Sequence, residues 1–166
     1  ESKGVGWLAR YKFPSQWGIA FILALFMFWE VPDLFFLLPW SEHPLEMGVW
    51  AIPLGAFLLV ATSNAVNLSD GLDGLAGGLS AIAFAAYGVL TAVSGMQALA
   101  LFCFSLVGVQ LAFLWFNEKR ECMIKGETGS EALGAGLAVV AILSGYALLL
   151  PIIGIVFVAE ALSVIL

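Results

Sequence analysis

GLAGGLSAIAFAAYGVLTAVSGMQALALFCFSLVGVQLAFLWFN, residues 74–117, runs for 44 residues without a charged side chain. A helix that crosses the hydrocarbon core of a bilayer needs about 20 mainly apolar residues. The run therefore holds two crossings, with a natural break at Ser94-Gly95. Similar runs flank it: 17 uncharged residues between Lys12 and Glu30, 23 between Glu46 and Asp70, and 28 between Glu131 and Glu160. The fold expected is all-α: a polytopic transmembrane helix bundle forming a single domain over 1–166. About six spans are expected, near 14–32, 49–67, 75–94, 96–117, 130–146 and 148–166. The last two are slightly short and hinge near Ser144-Gly145.

Composition agrees. Of the 166 residues 62% are hydrophobic and 11% charged, against about 25% charged in soluble domains. This argues against a disordered chain or a water-soluble globule. The net charge of -6 argues against a nucleic-acid partner, which selects basic surfaces. Cys103 falls in an apolar run and Cys122 in a charged loop, so both read as free thiols. The chain begins at Glu1, with no secretory signal pattern, and is expected to be either an excised piece or a complete, diverged protein.

Six alternating crossings place all six basic residues, Lys3, Arg10, Lys12, Lys119, Arg120 and Lys125, on one side. Glu30, Asp33, Glu42, His43 and Glu46 fall on the other. Because Lys and Arg concentrate in cytoplasmic loops, the N-terminus and the loops near 67–75 and 117–129 are assigned to the cytoplasm. Trp17, Trp29, Trp40, Trp50 and Trp115 lie near span edges, where an amphipathic ring favours the headgroup layer. LFFLLPW (34–40) is too short to cross and is expected to lie along the outer surface.

Two cytoplasmic loops are polar out of proportion to the rest. In NAVNLSDGLDGLAGG (64–78), Asn64, Asn67, Asp70 and Asp73 recur every third residue. On a helix, Asn67, Asp70 and Asp73 would share one face while Asn64 begins to leave it. Gly71 and Gly74 would let a ligand approach the backbone closely. The plainer alternative is a polar turn in which Asp70 or Asp73 caps the next helix. In the second loop, GETGS (126–130) precedes a helix, whose N-terminus favours an anion such as phosphate. Glu127 there suits magnesium, which takes one or two carboxylates plus phosphate oxygens. The plainer alternative is an N-cap at Ser130, with Glu127 and Glu131 favouring the helix start. Glu160 is the one carboxylate deep in an expected span and should face the bundle.

The string NAVNLSDGLDGLAGG resembles the signature of the phospho-N-acetylmuramoyl-pentapeptide transferases, the MraY-type translocases of the polyprenyl-phosphate hexosamine-1-phosphate transferase superfamily, which carry NAVNLTDGLDGLA. FLWFN (113–117), GETGSEALGAGLA (126–138), VFVAEALSVIL (156–166) and LARYKF (8–13) resemble further segments in the same order. The chain matches the middle of a ten-span family fold. The family's paired-Asp motif and basic substrate-binding residues would precede Glu1, and its His-rich loop would follow Leu166. These 166 residues alone are therefore expected to show no turnover.

The resemblance implies transfer of phospho-MurNAc-pentapeptide from UDP-MurNAc-pentapeptide to undecaprenyl phosphate, giving lipid I and UMP for peptidoglycan synthesis. It implies Mg2+ as cofactor, a bilayer of the bacterial inner membrane as surroundings with the active face cytoplasmic, and leaves room for a homodimer. By motif, Asn64, Asn67, Asp70 and Asn117 would line the substrate pocket, and Asp73 with the backbone of Gly71 and Leu72 would read the uracil. Ser130 would lie beside the diphosphate. Glu127 stands where the family has its magnesium-binding Asp, so Asp70 and Glu127 are the catalytic candidates. The family pattern FNxxPAxxFMGD reads FNEKRECMIKGE here, with Arg120, Glu121, Ile124, Lys125 and Glu127 departing from it. The added methylene at Glu127 displaces the carboxylate by about 1 Å, a shift worth about 100-fold in rate. A related UDP-hexosamine transferase and a non-catalytic membrane scaffold are the alternatives.

Overall fold

The computed structural model describes residues 9–31, 35–37, 44–71, 74–120 and 126–165. The long helices are α1 (Ala9–Glu30), α2 (Ala51–Leu68), α3 (Leu75–Val93), α4 (Gln97–Arg120) and α5 (Gly126–Leu143), followed by α6 (Leu150–Ile153) and α7 (Ile155–Ile165). A minimal hairpin pairs β1 (Phe35–Phe36) with β2 (Leu45–Glu46), antiparallel, with Phe35 opposite Glu46 and Phe36 opposite Leu45. Among the described residues four helical segments are long and apolar enough to cross a membrane: Tyr11–Glu30, Gly48–Leu68, Leu75–Val93 and Gln97–Asn117. The chain is an all-α bundle of the membrane type.

These helices are apolar around their whole circumference, the pattern of helices that face lipid on one side and protein on the other. Ile22, Phe26 and Trp29 of α1 and Leu101, Val109 and Trp115 of α4 point outward, while the small Ala20 and Ala24, one turn apart, are buried against α2. In lipid, helices associate through close packing of small residues rather than through hydrophobic expulsion. The tightest case is Gly134 of α5. A Cβ there would stand 2.6 Å from both Ser63 Cα and Thr62 O, so the two backbones touch. α5 is the shared wall of the bundle. Ala138 and Ile142 pack with α1, α2 and Phe36, whereas Leu133, Leu137, Val140 and Ala141 pack with Phe84 and Tyr87 of α3, Cys103 of α4 and Phe157 of α7.

The chain reverses at Ser94-Gly95 and Ser144-Gly145, where Gly95 and Gly145 both adopt φ +78°. That left-handed conformation is the usual helix ending, for which glycine is favoured. The two turns lie at the same end of the bundle, since Ser94 Oγ and Tyr146 Oη are 2.8 Å apart. The hairpin joins them there through Leu37 N–H, which donates to Gly145 O at 2.8 Å. The C-terminus of α2, the N-terminus of α3, the C-terminus of α4 and the N-terminus of α5 occupy the opposite end. There Gly74 packs toward Leu114, at 3.2 Å from a Cβ placed on it.

Several expectations change. The fifth helix starts at Gly126, four residues before the expected boundary, so Ser130 lies one turn inside α5 rather than at its cap. The stretch expected to cross at 148–166 is broken: a 3-10 turn (Ala147–Leu149) and α6 give way at Gly154 to α7. α2 ends at Leu68 and Asp70 falls in a 3-10 turn, Ser69–Gly71, so the three-residue spacing is not continued on one helix. Gly74 is the residue before α3, with no side-chain cap. Phe36, expected on the outer surface, is 1% exposed and fills the core between α1, α2 and α5. An aromatic ring that reaches a core is worth more there than in the headgroup layer. Cys103 is a free, buried thiol. Glu160 is half-buried on α7. Leu72, Asp73, Cys122, His43 and most of 34–40 lie outside the described residues.

Candidate active site

Three helix ends converge opposite the hairpin: the start of α1, the end of α2 and the start of α5. Because the α2 and α5 backbones touch at Gly134, the side chains one turn further along must meet. Ser130 Oγ donates to Asn67 Oδ1 at 2.8 Å. This bond fixes the amide with its NH2 turned away from Ser130, and that group donates to the Glu127 carboxylate. The Lys12 ammonium forms ion pairs with both Glu127 and Glu131, which lie four residues apart on one face of α5. Gln16, one turn after Lys12, donates through Nε2 to Glu131 Oε1 at 3.0 Å, and its Oε1 accepts from Asn64 Nδ2 at 3.1 Å. Asn64 Nδ2 also donates to Val60 O at 2.8 Å. Ser63 Oγ donates to the Glu131 carbonyl at 3.0 Å.

Asn64 and Asn67 thus work in different directions, the first toward α1 and the second toward α5. Every amide orientation is dictated from the carboxylate ends, where Glu127 and Glu131 accept and Lys12 donates.

Lys12, as hydrogen-bond donor and as neighbouring charge, holds the Glu127 carboxyl below the usual carboxylate range. Slight desolvation opposes this, and the Asn67 donor adds to the lowering. The two carboxylates differ in access: the Glu127 side chain is 60% exposed and that of Glu131 23%. Between α1, α2 and α5 a groove of about 260 Å³ opens from this cluster. Gln16, Ser63 and Glu131 line its polar part; Ile19, Leu23 and Leu59 line its apolar part.

Of the residues singled out in the sequence, Asn64, Asn67, Glu127 and Ser130 are brought together. Asp70 and Gly71 form the turn that follows Asn67 directly, and Asp70 is half-buried. Asn117 stands near the end of α4 on the same end of the bundle, also half-buried. Leu72 and Asp73 lie outside the described residues. Lys12, Gln16 and Ser63 were not singled out, and Glu131 was noted only for its helix start. A signal existed: Lys12/Gln16 and Glu127/Glu131 are both pairs at spacing i,i+4, each opening an apolar run, so each pair lies on one helix face.

Among the described residues no three His, Cys, Asp or Glu side chains gather as a ready-made cation cage. Magnesium does not need one, since it binds through one or two carboxylates and completes its shell with phosphate oxygens and water. The exposed Glu127 carboxylate is a hard-oxygen donor of this kind and by itself fits the ion, whereas Asn67 turns its NH2 toward Glu127 and its oxygen toward the buried Ser130 hydroxyl.

A membrane-type helix bundle with a cluster of carboxylates, amides and an ammonium at one end is the class of protein this chain defines. A family model described as glycosyl transferase family 4 matches residues 4–145, and the chain belongs to that family. It is 43% identical over 170 residues to the phospho-N-acetylmuramoyl-pentapeptide-transferase of Chloroflexus aurantiacus, covering 98% of this chain and 46% of that protein. It is 40% identical over 166 residues to the enzyme of the same name from Listeria innocua, covering 100% and 51%. A Geobacillus relative, also so named, is 50% identical over 128 residues, covering 77% and 40%. The chain spans about half the length of these curated relatives.

Proposed function

We propose that the protein to which this chain belongs transfers phospho-MurNAc-pentapeptide from its UDP carrier to undecaprenyl phosphate at the cytoplasmic face of the bacterial membrane, releasing UMP and forming lipid I. The observation that carries the proposal is the bond between Asn67 and Ser130, which joins the two polar segments of the sequence into one cluster beside Glu127. The names of the relatives support the substrate pair. The groove supports an acceptor with a phosphate head and an apolar tail, because its walls change from polar to apolar along its length.

In the reaction an oxygen of the lipid phosphate bonds to the sugar-bearing phosphorus, and the bond from that phosphorus to the bridging oxygen breaks, so the electron pair leaves with UMP. Glu127 would hold Mg2+, which when bound would neutralise diphosphate charge. Asn67 and Ser130 orient each other and present fixed dipoles. Lys12 supplies positive charge at the same mouth. Asp70, on the adjoining turn, would contact the nucleotide.

The test uses the full-length protein in detergent with both substrates and Mg2+, measuring UMP and lipid I. Glu127→Gln and Asn67→Ala should each reduce turnover by about 100-fold, the scale of a misplaced catalytic group. Glu127→Asp should raise it. UDP-GlcNAc should not compete. Wild-type turnover of UDP-GlcNAc would select the related hexosamine transferase. No turnover together with no magnesium-dependent UMP binding would select the non-catalytic scaffold.

A further inference from the structure

The two partners of Lys12 are unequal. Glu131 is held in place: its carboxylate accepts from Gln16 Nε2 at 3.0 Å, its carbonyl accepts from Ser63 Oγ at 3.0 Å, and its side chain is mostly covered. Glu127 lies at the mouth with most of its side chain in water. A cation arriving from solution meets Glu127 first and finds the ammonium already there. An ammonium on one oxygen of this exposed carboxylate repels a divalent ion arriving at the same group, modestly in water. The ammonium has somewhere to go, because it already pairs with Glu131 as well.

We infer that Lys12 is an internal competitor for the divalent cation at Glu127: it pairs with both carboxylates when the ion is absent and withdraws onto Glu131 alone when the ion binds. Glu131 is then the residue that makes the exchange easy, although it touches no metal. Charge bookkeeping gives the exchange a purpose. Lys12, Glu127 and Glu131 together carry one net negative charge, which repels a diphosphate. Addition of a divalent ion reverses the sign and leaves Lys12 at the mouth, beside the incoming anion. The inference rests on the magnesium site proposed above, and the experiment separates the two.

Mn2+ binding to the full-length protein in detergent is followed by electron paramagnetic resonance of the free ion at saturating UMP, whose phosphate completes the ion's shell. Lys12→Met should tighten Mn2+ about fivefold and Glu131→Gln should weaken it about twofold, ratios within the range of an exposed ion pair. Lys12→Arg should stay close to wild type. In the Lys12→Met background the effect of Glu131→Gln should vanish, because Glu131 acts only through Lys12. Equal or weaker Mn2+ binding in Lys12→Met overturns the competitor role while leaving the metal site standing. Loss of affinity on Glu131→Gln that is the same in both backgrounds overturns it too, since Glu131 would then act on the ion directly. Binding that survives Glu127→Gln, or no binding in wild type and Lys12→Met alike, overturns both the competitor and the magnesium site. If Lys12→Met fails to fold, an unchanged or tighter affinity in Glu131→Gln overturns the inference by itself.

Discussion

Gly134→Ala is the most informative single change, because one methyl group tests the contact on which the site depends. The new Cβ would stand 2.6 Å from Ser63 Cα and from Thr62 O, where ordinary contact begins at 3.4 Å. Both obstacles are backbone atoms of α2, which cannot rotate away. The helices must part by about 0.8 Å, and the overpacking costs about 1–3 kcal/mol. The same displacement stretches the 2.8 Å bond from Ser130 to Asn67 and the 3.0 Å bond from Ser63 to Glu131. They reach about 3.6 and 3.8 Å, beyond useful hydrogen-bond range. The variant should therefore unfold at lower denaturant and lose nucleotide binding together, in equilibrium unfolding and UMP titration of the full-length protein. Gly136→Ala is the control two residues away: its Cβ would meet Phe84 at 3.7 Å, an ordinary contact, so stability should hold or rise slightly. Gly134→Ala as stable as Gly136→Ala, with UMP binding intact, would refute the backbone contact as the determinant of the site.

Two further outcomes are expected. Phe36→Ala should lower unfolding stability by about 3–5 kcal/mol, the value for a buried aromatic ring; a change near zero would return this residue to the membrane surface. For Glu127, the folded carboxyl lies below its ordinary value of 4.5 because of Lys12. Its stabilising contribution is therefore fully present above 4.5 and disappears as pH falls through the lower folded value. Unfolding midpoints of wild type and Glu127→Gln measured from pH 7 down should run parallel above 4.5 and converge below it; parallel curves throughout would remove the Lys12–Glu127 pair.

The helices were legible because charges punctuate apolar runs of spanning length, and the turns because Ser-Gly pairs occur where the runs exceed one crossing. The join between Asn67 and Ser130 was legible only as a shared side, since alternating crossings fix the end of the bundle but not which helices touch. Touching is decided by Gly134, and a glycine in an apolar helix does not announce its neighbour. Ser130 was misplaced by one turn because Ser before an apolar run looks like a cap, whereas the helix had already begun at Gly126. Lys12 escaped because its partners are 115 and 119 positions away, beyond any local pattern. Phe36 was misjudged for a related reason: a short apolar segment outside a span can bend inward, as the burial of Phe36 and the bond of its neighbour Leu37 to Gly145 reveal.

That last bond has an implication for how the protein can vary. Leu37 and Gly145 are joined through main-chain atoms, so any residue other than proline at 37 preserves the tie. The opposite rim is assembled from amides, a hydroxyl, an ammonium and carboxylates whose identities all matter. Position 37 can therefore change its side chain without cutting the tie, whereas a change at Asn67 alters bonds to both Ser130 and Glu127 at once.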